Sequence, residues 1–315
     1  MYYEFETADD AFTVLGSELL KLEPTVSPRG QLTRELLNVN ITITDPSQYA
    51  TVRTKKTYAF AEWIWYLRGS NTLEGIDPYA PLWKTIADEN GKLNSNYGYY
   101  LFGQGQFNNI VKLLMKDWAS RKAVIQIFQP KSIDSKDTTC SICCQFIIRP
   151  HQEFIYGAEY KVGDWEKPHL QYRLHQIFTI RSNDAVRGFP YDVMMFALFQ
   201  KMLCNTLNAQ WQNNFENSGR KLELGNLHYN AGSFHMYEAD REDLEAAIKE
   251  TTRPSFPEFD LIAQNELGKA LQMEQQLRTL GVKAEPQKFE FASEFWQMAL
   301  RVLTNKFCKP INETT

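Results

Sequence analysis

Several stretches of this chain carry residue types that do chemistry at spacings that bring them to the ends of regular elements. Cys140 stands in Thr139-Cys140-Ser141, at the polar start of an apolar run. A thiol placed there is a candidate nucleophile, and a nearby cation would favour its reactive thiolate. Arg181-Ser182-Asn183-Asp184-Ala185-Val186-Arg187-Gly188-Phe189-Pro190-Tyr191-Asp192 lies between the strand-like run Gln176–Ile180 and the apolar run Val193–Phe199. An arginine, a serine and two aspartates therefore sit at a strand end and a helix start, where free backbone N–H groups favour anions. The bland alternative is an ordinary loop with an N-cap aspartate. His235 and Tyr237 alternate on a third strand-like run and so share a side. Together they suit a hydroxyl-bearing ligand, whereas a lone histidine is more often structural. Adjacent Arg121 and Lys122 read either as a solvated helix end or as a phosphate clamp.

The elements that must hold these residues follow from periodicity. Asp9–Leu22 reads as an amphipathic helix with Phe12, Leu15, Leu19 and Leu20 on one face and Asp9 or Asp10 as cap. Ser27-Pro28-Arg29-Gly30 is a turn, and Leu37–Ile43 alternates as a strand. Lys55–Arg68 is an aromatic-rich helix with Glu62 inside it. A carboxylate there usually snorkels or caps; buried, it becomes a candidate acid or base. Trp83–Gly103 reads as loop, Phe107–Trp118 as helix, and Ala123–Phe128 and Thr138–Ile148 as strands. Residues 151–173 form a polar excursion. Val193–Gln212 is a long helix, Leu224–Tyr237 contains a strand, and helical patterns recur at Glu266–Leu280 and Phe291–Lys306. Strands and helices alternate along the chain, an α/β (α+β) pattern, and residues 241–315 read as a helical C-terminal extension packed on residues 1–240.

Composition narrows the function. A chain of 315 residues at 43% hydrophobic content supports a sizeable core. A formal charge of −4 argues against a nucleic-acid surface, which demands clustered Lys and Arg. No apolar run reaches membrane-spanning length, and Met1–Glu6 lacks a signal-peptide pattern. The five cysteines then read as reduced thiols in a cytoplasmic protein. Cys140, Cys143 and Cys144 have no second Cys pair and no histidine at ligand spacing, which speaks against a metal site; Cys143 and Cys144 read as buried structural thiols.

In this order the pieces resemble the thymidylate synthase family, over roughly Asp9 to Tyr237. The resemblance rests on Cys140, Gln145-Phe146, the whole Arg181–Asp192 string and Gly232-Ser233-Phe234-His235-Met236-Tyr237. Upstream it rests on Glu62-Trp63-Ile64-Trp65-Tyr66-Leu67-Arg68-Gly69, Trp83, Ala87–Gly91, Tyr97-Gly98 and Ser120-Arg121-Lys122. It implies the thymidylate synthase fold, a large bent mixed sheet flanked by helices, in a homodimer that binds a nucleotide and a folate, with 5,10-methylenetetrahydrofolate as co-substrate and no metal. It implies that Cys140 attacks C6 of a pyrimidine; that Arg29, Arg181 and Ser182 hold the phosphate, with Arg121 and Lys122 reaching it from the partner subunit; and that Glu62 organises waters and protons. It implies that Tyr97 helps remove the C5 proton, that His235 and Tyr237 bind the sugar hydroxyl, and that Trp83, Asp184 and Gly188 line the folate site.

The departures from the family pattern point to the substrate. Synthases acting on dUMP carry Asn at the last position of the central string, where this chain has Asp192. An amide complements the N3–H donor and O4 acceptor of uracil. Cytosine reverses these; a protonated carboxyl donates to N3 while accepting from N4–H, and an ionised one accepts from N4–H of an N3-protonated ring. Mispaired buried polar groups cost several kcal/mol, on the order of strong substrate discrimination. Ser141 replaces the histidine after the catalytic cysteine. Pro310–Thr315 does not resemble the apolar tail that closes a synthase over its site, and a site open to water suits hydroxymethyl transfer. The chain is therefore similar to the dCMP-hydroxymethylating branch, known mainly from bacteriophages. Lys122, where the family usually has arginine, keeps CMP open as substrate. Methyl transfer to dCMP, CMP or dUMP is the alternative within the family, and a non-enzymatic nucleotide-binding homologue the alternative outside it.

Overall fold

The computed structural model describes residues 1–150, 171–212, 221–253, 255–259 and 264–308. The chain forms two compact units. One holds Met1–Arg53, Phe107–Gln126 and Cys140–Pro254; the other holds Thr54–Gln106, Ile127–Thr139 and Ser255–Thr315.

The first unit contains every strand among the described residues. These are β1 (Tyr2–Phe5), β2 (Thr33–Ile43), β3 (Val124–Gln126), β4 (Ser141–Pro150), β5 (Gln171–Asp184) and β6 (Lys221–Tyr237). They form one sheet in the order β1-β2-β6-β5-β4-β3. β1 runs parallel to β2 and β5 parallel to β6, and the other pairings are antiparallel, so the sheet is mixed as expected. From Tyr172 to Ile180, β5 alternates buried and half-buried residues, the period of a strand with one face on a core. That face carries Leu174, Phe178 and Ile180.

Helix α5 (Phe189–Gln212) covers it: Phe178 stacks on Phe196, and the Gln200 amide donates to the carbonyls of Leu174 and Gly225 at 2.8 and 3.0 Å. A buried glutamine that satisfies two carbonyls at an irregularity in the β5–β6 pairing pins the helix in register. The helix begins at Phe189, four residues before the expected Val193, because Pro190 is tolerated in a first turn. Helix α1 (Ala8–Lys21) adds Phe12, Leu15 and Leu19 to the core. Its cap is Thr7, not Asp9 or Asp10. Thr7 and Asp10 form a capping box, while an Asp9 carboxylate oxygen accepts the Val52 N–H at 2.8 Å.

Among its described residues the second unit is helical: α2 (Lys56–Leu67), α3 (Leu82–Ile86), α7 (Gln264–Leu280) and α8 (Glu294–Phe307). The remaining helices, α4 (Gln106–Lys116) and α6 (Arg241–Ala247), lie with the sheet, apart from Gln106. Helix α2 is buried at every position from Ala59 to Leu67, the pattern of a helix enclosed on all sides. Phe60 and Trp63 on α2 pack edge-on against Phe295 and Phe259. The stretch expected as loop over Trp83–Gly103 contains α3 and a π-turn, Tyr99–Gly103. Both are short and rich in aromatics, so periodicity carries no signal there. The excursion expected over 151–173 lies outside the described residues up to 170, and 171–173 open β5.

Candidate active site

In the first unit the ends of β5 and β6, the entry to β4 and the first turn of α5 gather eight of the residues singled out from the sequence. Cys140 is a half-buried thiol, in no disulfide, one residue before β4. Its carbonyl accepts the Arg181 N–H at 2.8 Å, which sets the thiol-bearing residue beside Arg181 on the neighbouring strand. Cys144 is unlike it. It is enclosed in the core, accepts the Gln176 amide at 2.8 Å, and burial pushes its thiol far up, so it stays protonated. Ser141 is buried too, and its hydroxyl has no hydrogen-bond partner.

Three rungs, Ser182 on Ser233, Asn183 on Phe234 and Asp184 on His235, join the ends of β5 and β6. One Asp184 oxygen accepts the N–H groups of Val186 and Arg187 at 2.7 and 2.8 Å, which turns the chain toward α5. The other is buried and makes no hydrogen bond among the described residues. Burial raises the Asp184 carboxyl above its ordinary range. Burial also holds the His235 imidazole low, which leaves it neutral and able both to donate and to accept near pH 7. The His235 and Tyr237 rings meet edge to face, with centroids 5.4 Å apart. The Arg187 guanidinium covers Tyr237 at 5.4 Å and pairs with Asp240 at 2.8 Å.

Asp192 sits in the first turn of α5, its N–H bound to the Gly188 carbonyl at 2.9 Å. Its carboxyl is surrounded by protein, although the residue keeps part of its surface open. Burial pushes it up to about 7; an N–H of Asn183, 2.8 Å from Oδ2, holds it back, and the charge of Asp184 adds to the rise. A carboxyl near 7 is available in both protonation states at neutral pH.

In the second unit Glu62 is buried on α2, so the snorkelling or capping reading fails. Its Oε1 accepts from the Tyr58 hydroxyl at 2.9 Å and faces the Tyr66 hydroxyl at 3.4 Å. The Trp83 indole N–H donates to Tyr58 at 3.2 Å, and Trp83 packs on Trp65. Tyr66 stacks on Tyr97 at 5.5 Å. Glu62, Trp83 and Tyr97 are thus joined through two tyrosines. Gly98 makes this possible, since a Cβ there would lie 1.9 Å from the Tyr66 carbonyl oxygen.

The remaining expected residues are more peripheral. Arg121 and Lys122 are exposed just before β3, with the Arg121 carbonyl held by Gln145 at 2.8 Å. Arg29 lies in the turn Pro28–Gly30, and its side chain falls outside the described residues. Sequence reasoning missed three partners. Tyr58 and Tyr66 stand four residues either side of Glu62, a spacing that puts all three on one helix face. Asn183 stands at a position of the central string that the family pattern leaves unspecified, and nothing in the sequence marks it out.

A profile of the thymidylate synthase family matches residues 29–279. The chain is 22% identical over 241 residues to the deoxycytidylate 5-hydroxymethyltransferase of Enterobacteria phage T4, covering 73% of this chain and 86% of that protein. It is 23% identical over 219 residues to the thymidylate synthase of Bacillus mojavensis, covering 65% and 67%. The thermostable thymidylate synthase A of Bacillus subtilis superposes with a TM-score of 0.55 at 17% identity, over 79% of this chain and 86% of that one. This chain belongs to the thymidylate synthase family. Members of that family are folate-dependent one-carbon transferases, which supports an enzyme here. Among the described residues no helix is long and apolar enough to cross a membrane, and no group of three or more His, Cys, Asp or Glu is placed to hold a metal.

Proposed function

We propose that the protein transfers a hydroxymethyl group to C5 of dCMP, converting dCMP, methylenetetrahydrofolate and water to 5-hydroxymethyl-dCMP and tetrahydrofolate. The observation that carries this reading is Asp192: a carboxyl titrating near 7 in the first turn of α5, where dUMP-specific synthases place an amide. With one proton shared, a carboxyl meets both the N3 acceptor and the N4–H donor of cytosine. The phage relative with the hydroxymethyltransferase name points the same way.

In this reading Cys140 adds as thiolate to C6, and the displaced electron pair makes C5 the nucleophile. Arg181, whose backbone is bound to that of Cys140, supplies the cation that favours the thiolate and joins Arg29 and Ser182 on the phosphate. His235 and Tyr237 hold the sugar hydroxyl. Bound methylenetetrahydrofolate would supply the one-carbon unit at the oxidation level of formaldehyde. The chain offers candidates for holding it: in the second unit Trp83 carries an aromatic face steadied by Tyr58, and in the first Asp184 and Gly188 stand at the turn from β5 into α5. Tyr97 takes the C5 proton, and Glu62, oriented by Tyr58 and Tyr66, holds the water that adds to the exocyclic carbon. Breaking the Cys140–C6 bond then frees the product.

The same reading takes residues 1–240 as the catalytic part and 241–315 as a helical extension. It also makes the enzyme a cytoplasmic homodimer in which the exposed Arg121 and Lys122 of a second copy reach the phosphate. The testing experiment is product mass after incubation with methylenetetrahydrofolate and dCMP, dUMP and CMP in competition. A CH2O gain on dCMP is expected. A CH2 gain with dihydrofolate would make it a methyltransferase, a gain on CMP would move the question to the sugar pocket, and no gain on any would sink the enzymatic reading.

A further inference from the structure

Asn183 is almost completely buried, at 1% exposure, at the end of β5. Its Nδ2 lies 2.8 Å from Asp192 Oδ2, nine residues on and across the turn into α5. Its own Oδ1 is buried and makes no hydrogen bond, so the amide is held through its donor side. The fit is tight. A Cβ at Gly188 would stand 3.1 Å from Asn183 Nδ2, so the glycine leaves the space in which the amide reaches Asp192. Among the described residues the bond to Asp192 is the hydrogen bond this side chain makes.

We propose that Asn183 is a positioning residue for base recognition: its amide N–H makes Asp192 Oδ2 the accepting oxygen and leaves Oδ1 to carry the proton. The inference rests on the reading of Asp192 as the group that meets the cytosine edge. A donor bound to one oxygen of a carboxylic acid favours that oxygen as the carbonyl and places the proton on the other. Oδ2 retains a second lone pair for N4–H, and Oδ1–H points to N3, which is the complement of cytosine. Without the amide the proton exchanges between the oxygens and the carboxyl is free to rotate, so discrimination falls even where folding does not. The charged neighbour that acts on Asp192 is Asp184, which is itself under the influence of His235 on β6.

The test replaces the amide by a side chain of similar size without a donor, Asn183→Leu, with Asn183→Ala as the smaller variant should leucine prevent folding. The protonated carboxyl band of Asp192 is followed against pH by infrared difference spectroscopy and assigned by its loss in Asp192→Asn. A donor that stabilises the charged form holds a pKa down. Its removal is therefore expected to move the midpoint up by roughly one pH unit. An unchanged or lowered midpoint overturns the proposal, because a side chain that only fills space would not raise it. In parallel, kcat and KM are measured for dCMP and dUMP. Preference for dCMP is expected to fall about tenfold, mainly through KM for dCMP, and an unchanged preference overturns the recognition role. Wild-type protein that turns over dUMP but not dCMP would instead remove the reading of Asp192 and leave the titration result intact.

Discussion

The backbone N–H of Arg181 is bound to the carbonyl of Cys140 at 2.8 Å, one rung beyond the β4–β5 pairing of Ser141 with Ile180. This rung ties the entry of the Cys140 strand to the exit of the Arg181 strand. Two residues 41 positions apart are thereby fixed by sheet register, and register is set by the buried face of β5 rather than by the site itself. The first prediction follows. Cys140→Ser keeps that rung and the fold, but an alkoxide is far less accessible than a thiolate at pH 7. Turnover is expected to fall at least about a thousandfold, with nucleotide affinity by calorimetry changed less than about threefold. Retained turnover would exclude covalent catalysis by this residue.

Asp192→Asn replaces the group read as the cytosine partner with an amide that complements uracil. The relative kcat/KM for dCMP over dUMP is expected to reverse in favour of dUMP, by about a hundredfold or more, the scale seen when a site is left with a mispaired buried polar group. Both substrates must be assayed on one preparation, so that a general loss of activity is separated from a change of preference. A ratio that stays put would mean another residue reads the base.

Most of the sheet and the long helices were legible in the sequence, because their signals are local. Alternation marked β2, a short apolar run marked the middle of β5, and an aromatic-rich run and a long apolar run marked α2 and α5. What was illegible arises from contacts between distant segments. Glu62 reads as a solvated carboxylate on an aromatic helix until Tyr58 and Tyr66 are seen to enclose it. Thr7 took the cap expected of Asp9 or Asp10 because Asp10, three residues on, completes the box and Asp9 is used on Val52. The placement of Cys140 at a strand entry and of the Arg181–Asp192 string between a strand and a helix was readable from motif and order. The role of Asn183 was not, since only the fold brings it against Asp192.

The raised carboxyl of Asp192 also has a consequence for stability. In an unfolded chain it ionises near 3.8, in the folded protein at about 7. Between those values the folded state holds a proton that the unfolded state has released, so stability is lost as pH rises through that window and the loss is complete above about 8. Asp192→Asn cannot ionise and escapes it. The variant is expected to match wild type within about 0.5 kcal/mol at pH 4 but to be more stable by roughly 1–3 kcal/mol at pH 8.5. Urea unfolding at the two pH values checks this; a difference that does not grow with pH would mean the carboxyl is not raised.

Tyr58 accepts from Trp83 and donates to Glu62, so its hydroxyl links the aromatic face to the carboxylate. Tyr58→Phe removes both bonds while keeping the ring. The expected stability loss is about 1 kcal/mol. The expected loss of kcat is larger, about 10- to 100-fold, because Glu62 is left with Tyr66 at 3.4 Å as the remaining tyrosine that orients it. Thermal unfolding and separate kcat and KM for the folate distinguish the two effects. A kcat loss no greater than the stability loss accounts for would reduce the contact to a structural one.

Within the second unit, Glu274 on α7 is the point where the C-terminal helices hold α2. It is 1% exposed and accepts from Arg68 just beyond α2, from Arg278 at 2.9 Å and from Tyr79 at 3.0 Å. Removing one member of a buried ion-pair group leaves the others charged and desolvated. Glu274→Ala takes the shared carboxylate from two guanidinium groups, leaving Arg68 the Leu271 carbonyl and Arg278 the exposed Glu74, and is expected to destabilise the protein by about 2–4 kcal/mol. Glu274→Gln keeps the size and some hydrogen bonds and is expected to lose about half as much. Because α2 carries Glu62, the alanine variant should also lower activity at temperatures below its own melting transition. Hydrogen exchange localised to α2 and α7 reads this directly: faster exchange there is expected, and unchanged protection of α2 in Glu274→Ala would show that the helix stands without the C-terminal helices.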